Sequence, residues 1–232
     1  MELKQGIFYG VSVGPGDPEL LTLQAVRVLD GCAVIAVPQT KSGETLALDI
    51  ARQAVDLTGK TILPLAFTMA RDEATRDAAH RAALAVLAPY LAAGQDVALL
   101  NLGDVSLYST YGYLMALAQE AGYETVMLPG VPSFCAVAAR LGIPLTRGNQ
   151  PLHILPAGGD DLTAQLSLSG TKVLMKAGGH METLLAALEE TGQRAQASMV
   201  ENCGLPSEVV SHRLTAGDTG YFATIVVREE RT

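Results

Sequence analysis

Short apolar runs separated by amphipathic stretches recur through the first 130 residues, and this alternation constrains the fold more than any single motif does. Ile7 to Val13 reads as a buried strand closed by a glycine-rich turn, and Glu19 to Leu29 follows with Leu20, Leu23, Val26 and Leu29 at helical spacing. Ala33 to Val37 reads as a second strand stopped by Pro38. Thr61 to Leu65, Asp96 to Leu100 and Glu124 to Leu128 give three more strands. Helices are expected over 44–57, 71–93 and 109–121, the last closed by Gly122. Strands alternating with helices predict an α/β architecture with a mostly parallel sheet covered on both faces.

The pattern changes after about residue 145. Leu152 to Leu155, Lys172 to Met175, Ala197 to Glu201, Glu208 to Arg213 and Tyr221 to Val227 are strand-like, with helical segments near 160–168 and 181–190. Closely spaced strands near the end, joined by Thr215-Ala216-Gly217-Asp218, suggest antiparallel hairpins. The second half therefore reads as an α/β domain with a mixed C-terminal sheet. Domains are expected over 1–120 and 121–232, bridged by the helix around 109–121, with an active-site cleft between them.

Composition narrows the function. The chain has 232 residues, and 16 basic against 24 acidic side chains give a net charge of −8. An acidic balance argues against a nucleic-acid partner, which needs a basic face. Hydrophobic residues make up 49%, enough to exclude disorder. The longest apolar runs, such as Ala33 to Val37 and Val97 to Leu100, fall far short of the ~20 residues of a membrane span. No signal-peptide pattern opens the chain, so a cytoplasmic location is expected. Cys32, Cys135 and Cys203 are widely separated, and His80, His153, His180 and His212 form no close pair, so no protein-bound metal is expected.

Five segments at strand ends could carry chemistry. The first, Gly10-Val11-Ser12-Val13-Gly14-Pro15-Gly16-Asp17-Pro18, lets backbone approach a ligand but has neither the spacing of a dinucleotide fingerprint nor a phosphate-gripping Gly-Lys-Ser/Thr. By itself it reads as a turn capped by Asp17, with Pro18 opening a helix. The second, Asn101-Leu102-Gly103-Asp104-Val105-Ser106-Leu107-Tyr108-Ser109-Thr110, places a carboxylate where open α/β sheets bind ligands, although Asp104 or Ser106 could equally cap a helix. The third is Leu128-Pro129-Gly130-Val131-Pro132-Ser133-Phe134, where Ser133 could be an N-cap. The others are Val173 to Gly179, with Lys176, and Met199 to Gly204, with Glu201-Asn202. No nucleophilic triad can be located from spacing.

Taken in order, these segments resemble the tetrapyrrole methyltransferases of the cobalamin and sirohaem pathways. The resemblance rests on Gly14-Pro15-Gly16-Asp17-Pro18-Glu19-Leu20-Leu21-Thr22-Leu23, on Gly103-Asp104 with Tyr108-Ser109, and on Pro129 to Ser133 followed by Leu141-Gly142-Ile143-Pro144-Leu145. Ser106 to Thr110, Val200 to Pro206 and Tyr221-Phe222-Ala223-Thr224 look most like the branch acting at C-20 of precorrin-2 or cobalt-factor II. The family usually carries Gly-Asp-Pro, whereas Val105 follows Asp104 here. Pro38-Gln39 stands where the sirohaem branch has an aspartate, which favours the C-20 branch.

The resemblance implies a two-domain homodimer that binds S-adenosylmethionine in the cleft and methylates a small-molecule tetrapyrrole. It implies cofactor contacts at Pro15, Leu102, Gly103, Asp104, Leu107, Pro132, Ser133, Lys176, Cys203 and Thr224. Asp104 is the first candidate for orienting the reactants or removing the proton, and Tyr108 the second. Cobalt would enter only with the substrate, and the stretch 38–72 leans towards the cobalt form. Lys41, Arg71, Arg76, Arg140, Arg147 and Lys176 are candidates for holding substrate carboxylates. The alternatives are another corrin-ring position, a diphthamide or ribosomal RNA substrate, and a non-catalytic binding module.

Overall fold

The computed structural model describes residues 4–39, 45–68, 70, 72–215, 217 and 219–229, and the chain forms two compact units that divide after Pro132. The first unit contains β1 (Phe8–Ser12), α1 (Leu23–Gly31), β2 (Val34–Gln39), α2 (Leu46–Ala54), β3 (Thr61–Ala66), α3 (Glu73–Ala92), β4 (Val97–Asn101), α4 (Tyr111–Glu120) and β5 (Thr125–Leu128). Its strands lie in the order β3-β2-β4-β1-β5, every pairing parallel. All five residues of the central strand β4 are buried. Ala98 and Leu100 pack with α1 and α2 on one face, and Val97 and Leu99 with α3 and α4 on the other. A strand buried on both faces has no polar side to show, which is why it reads as a continuous apolar run.

Three expectations change in this unit. The segment from Glu19 to Leu29 is not one helix. Asp17 accepts from the Glu19 N–H at 2.9 Å and opens a 3-10 turn over Pro18–Leu20, and Thr22 then caps α1 by accepting from the Ala25 N–H at 3.1 Å. Pro38 does not end β2. It lies beyond Ala36, the last residue paired with β4, and faces only Leu65 of β3, so its missing N–H is tolerated. The boundary also differs from the one expected at 120/121. β5 pairs in parallel with β1, and α4 packs on β1, β5 and α3, so both belong to the first unit.

The second unit contains α5 (Ser133–Leu141), β6 (Leu152–Pro156), α6 (Leu162–Leu166), β7 (Thr171–Met175), α7 (Met181–Glu190), β8 (Ala197–Glu201), β9 (Val209–Ser211) and β10 (Ala223–Val227). The sheet order is β6-β7-β10-β8-β9; β6 and β7 are parallel and the other pairs antiparallel, so the sheet is mixed. β8 and β9 form a hairpin, but β9 and β10 do not. β10 inserts between β7 and β8, so the Thr215 to Asp218 connection, of which Ala216 and Asp218 lie outside the described residues, joins strands that are not neighbours. Ile225 and Val227 of β10 are fully buried in a core with α6 and α7.

Candidate functional site

The carboxyl ends of β1, β4 and β5 adjoin in the first sheet, and polar groups tie the loops that leave them. Ser12, the last residue of β1, is fully buried. Its hydroxyl donates to the Leu128 carbonyl of β5 at 2.7 Å and accepts from the Val105 N–H at 2.8 Å. Gly14 and Gly103 both adopt left-handed backbone, with φ of 73° and 74°, and the Gly103 N–H donates to the Gly14 carbonyl at 2.8 Å. A side chain at Gly103 would be strained there, so glycine is required for the two loops to run together.

Asp104 is the hub of this edge. Its Oδ2 accepts from the Gly130 N–H at 2.7 Å, and its Oδ1 accepts from the Ser106 N–H at 2.8 Å and from the Ser106 hydroxyl. Burial pushes the carboxyl up, but these bonds outweigh it and hold Asp104 below the usual carboxylate range. The group is therefore ionised at neutral pH, with both oxygens occupied. That arrangement suits a fixed positioning element better than a proton acceptor.

The other residues proposed for this unit line the same edge. Pro15 is buried, and Leu102, Leu107 and Pro132 are half-buried. Tyr108 is 48% exposed and has a left-handed φ of 51°. Ser109 bonds Asn101 at the end of β4, and the Ser109 hydroxyl accepts from the Tyr111 N–H at 3.0 Å, which anchors the loop to the start of α4.

In the second unit, Thr224 sits near the start of β10, opposite Val200 of β8. Because β10 runs antiparallel to both neighbours, its start lies beside the carboxyl ends of β7 and β8, which Lys176 and Cys203 follow. Three of the predicted residues, Thr224, Lys176 and Cys203, thus share one edge of this sheet. Thr224 is only 5% exposed, and its hydroxyl is 3.4 Å from that of Ser133. Lys176 and Asn202 have positive φ values of 59° and 52°, which turn the chain sharply at the strand ends.

Cys203 is buried. Burial first, and the neighbouring Glu208 carboxylate second, push its thiol up to about 11. Cys32 is likewise buried and raised to about 11, whereas Cys135 is exposed. Brief iodoacetamide treatment of the native protein at pH 8 should therefore alkylate Cys135 alone. Mass spectrometry showing comparable labelling of Cys203 would contradict the buried placement.

The candidate cations disperse. Arg140 is paired to Glu208, with Nε 2.7 Å from Oε1. Arg147 lines a cavity of about 790 Å³ with Thr171, Ser198, Val226 and Arg228, at the opposite end of the second sheet from Lys176. Five-residue strands separate those ends by roughly 17 Å. Arg76 is exposed on α3, and Lys41 and Arg71 lie outside the described residues. Among the described residues no group of three His, Cys, Asp or Glu is placed to hold a metal ion. None of their helices is long and apolar enough to cross a membrane.

Sequence reasoning gave no role to three residues that organise the edges, Ser12, Glu201 and Glu208. Ser12 is a small polar residue at the end of a strand of aromatic and apolar residues, and that interruption was the available signal. Glu201 accepts from the Gly220 N–H at 2.7 Å and Glu208 from the Gly204 N–H at 2.8 Å, contacts that spacing alone does not mark.

Residues 8–218 match the family described as Tetrapyrrole (Corrin/Porphyrin) Methylases. The chain is 32% identical over 236 residues to the cobalt-precorrin-2 C(20)-methyltransferase of Salmonella typhimurium, covering 97% of each protein. It is 30% identical over 237 residues to the precorrin-2 C(20)-methyltransferase of a Sinorhizobium species, covering 96% of this chain and 95% of that one. The fold superimposes with a TM-score of 0.69, at 21% identity, on a uroporphyrin-III C-methyltransferase from Thermus thermophilus complexed with S-adenyl homocysteine, covering 97% of this chain and 98% of that one. The chain belongs to the tetrapyrrole (corrin/porphyrin) methylases.

Proposed function

We propose that this chain transfers a methyl group from S-adenosylmethionine to C-20 of precorrin-2 or its cobalt complex. The observation that carries this reading is end-to-end similarity, 97% of each chain, to a C(20)-methyltransferase. S-adenosylmethionine, when bound, supplies an electrophilic methyl group on a sulfonium. The residues present fit such a ligand: the first unit offers backbone and small or apolar side chains at Pro15, Leu102, Gly103 and Leu107, and the second offers the Ser133 and Thr224 hydroxyls. Pro132, Lys176 and Cys203 complete the proposed contacts.

Methyl transfer to carbon is a displacement in line, so fixed geometry supplies much of the rate. Asp104 contributes by tying the loops after β4 and β5 together, which fixes the edge against which the reactants lie. Tyr108, 48% exposed at the same edge, is the other candidate for proton removal. The reading carries with it a cytoplasmic homodimer with no resident metal, cobalt arriving as part of the substrate.

Incubation with methyl-labelled S-adenosylmethionine and each ring, metal-free or cobalt-loaded, tests the proposal. Label at C-20 is expected. Tight cofactor binding with no transfer to either ring, or transfer to another carbon, would overturn it.

A further inference from the structure

Aromatic side chains collect at the carboxyl edge of the first sheet, and the outermost of them, Tyr113, faces solvent. Tyr113 lies in the first turn of α4, just after the loop that carries Asp104, and is 63% exposed. Its ring stacks on that of His80 from α3, with centroids 4.7 Å apart and planes 12° from parallel. Phe67, the first residue beyond β3, also meets His80, with ring centroids 6.3 Å apart and planes tilted by 53°. Burial holds His80 below its ordinary value against the opposing influence of Asp77, so the stacked imidazole is neutral at pH 7. A large exposed aromatic ring held flat by a buried partner is preorganised for another flat ring, because its orientation is fixed before a ligand arrives.

A cation accompanies this surface. Arg76 precedes His80 by one helical turn on α3, so the two share a helix face. Arg76 is exposed and has no ion-pair partner within 4 Å among the described residues. An aromatic face with a guanidinium at its margin matches a conjugated macrocycle with carboxylates on its rim.

We propose that Tyr113, backed by His80, is a stacking platform for the tetrapyrrole macrocycle, and that Arg76 receives one of its peripheral carboxylates. This rests on the methyltransferase reading for the choice of ligand, and it assigns the positioning of the ring to groups separate from the proposed cofactor contacts. Ring stacking tolerates variation at the ring edge, so the platform sets affinity, and the rest of the site selects the carbon.

The test uses the intact protein and uroporphyrin III, an air-stable polycarboxylate macrocycle whose absorbance band reports stacking. Wild-type protein should shift the band. Tyr113→Ala should weaken binding about tenfold, and Tyr113→Phe or Tyr113→Trp should stay within about twofold of wild type, since both keep a ring. Arg76→Ala should weaken binding and flatten its dependence on salt. In parallel turnover with precorrin-2, Tyr113→Ala should raise KM for the ring about tenfold and leave the affinity for S-adenosylmethionine unchanged.

Equal affinity of Tyr113→Ala and wild type, or a Phe variant as damaged as the Ala variant, would overturn the platform. So would a wild-type protein that leaves the band unmoved. Binding with the expected variant pattern but no methyl transfer would instead sink the methyltransferase reading and leave the platform standing.

Discussion

Replacing Asp104 with Ala should lower methyl transfer on the order of 10²-fold, the scale set by a displacement of about 1 Å in a site that works by positioning. The mutation removes the acceptor for the Gly130 N–H and for both Ser106 donors, so the loops after β4 and β5 lose their mutual tie. Asp104→Asn should fall between, because an amide keeps one acceptor oxygen and turns the other position into a donor facing donors. The sheet core is untouched, so circular dichroism should show folded protein.

The pH dependence separates positioning from proton transfer. Asp104 is held below the usual carboxylate range, so its contribution is fully present above that range and is lost only as the pH falls through its lowered value. The kcat/KM profile between pH 5 and 9 should therefore show no inflection that disappears in Asp104→Asn. An inflection near neutrality removed by that substitution would mean the carboxylate acts as a base.

Gly130→Ala should be the most damaging single-carbon insertion at this edge. A Cβ there would stand 2.3 Å from the Ser12 Cβ and 2.9 Å from the Gly103 carbonyl oxygen, and the second of these is backbone. Neither neighbour can yield freely: Ser12 is fixed by two buried hydrogen bonds and Gly103 by its bond to Gly14. Overpacking of this kind costs about 1–3 kcal/mol, and the displaced Gly130 N–H would also leave Asp104. Thermal denaturation should show a melting temperature lowered by several degrees, together with a loss of S-adenosylmethionine affinity. Gly122→Ala is the control, because nothing lies within 4 Å of a Cβ at that position, although its φ of 86° adds modest strain. If Gly130→Ala proved as mild as Gly122→Ala, the close approach of the three loops would be wrong.

Much of the first unit was legible because parallel sheets bury their strands on both faces. Ala98 and Leu100 face one helical layer while Val97 and Leu99 face the other, so the run stands out without any knowledge of its partners. The mixed character of the second sheet was also legible. The position of β10 was not, since insertion between β7 and β8 is decided by cross-strand packing of Ile225 and Val227 rather than by any local turn signal. Pro38 misled for a related reason: a proline stops a strand only where its N–H is needed, and that depends on how far β4 extends.

By itself, the sequence determined which loops can bring backbone close to backbone. Glycines and short polar residues cluster after strands because only they allow backbone to come close, and this chemistry is local. Tertiary structure alone decided what each residue does there. Ser12 and Leu128 are 116 residues apart, and Asp104 and Gly130 are 26 apart, so the bonds that turn a candidate base into a loop tie exist only once β1, β4 and β5 lie side by side. A carboxylate's role follows from the donors around it, and those donors are assembled by the fold.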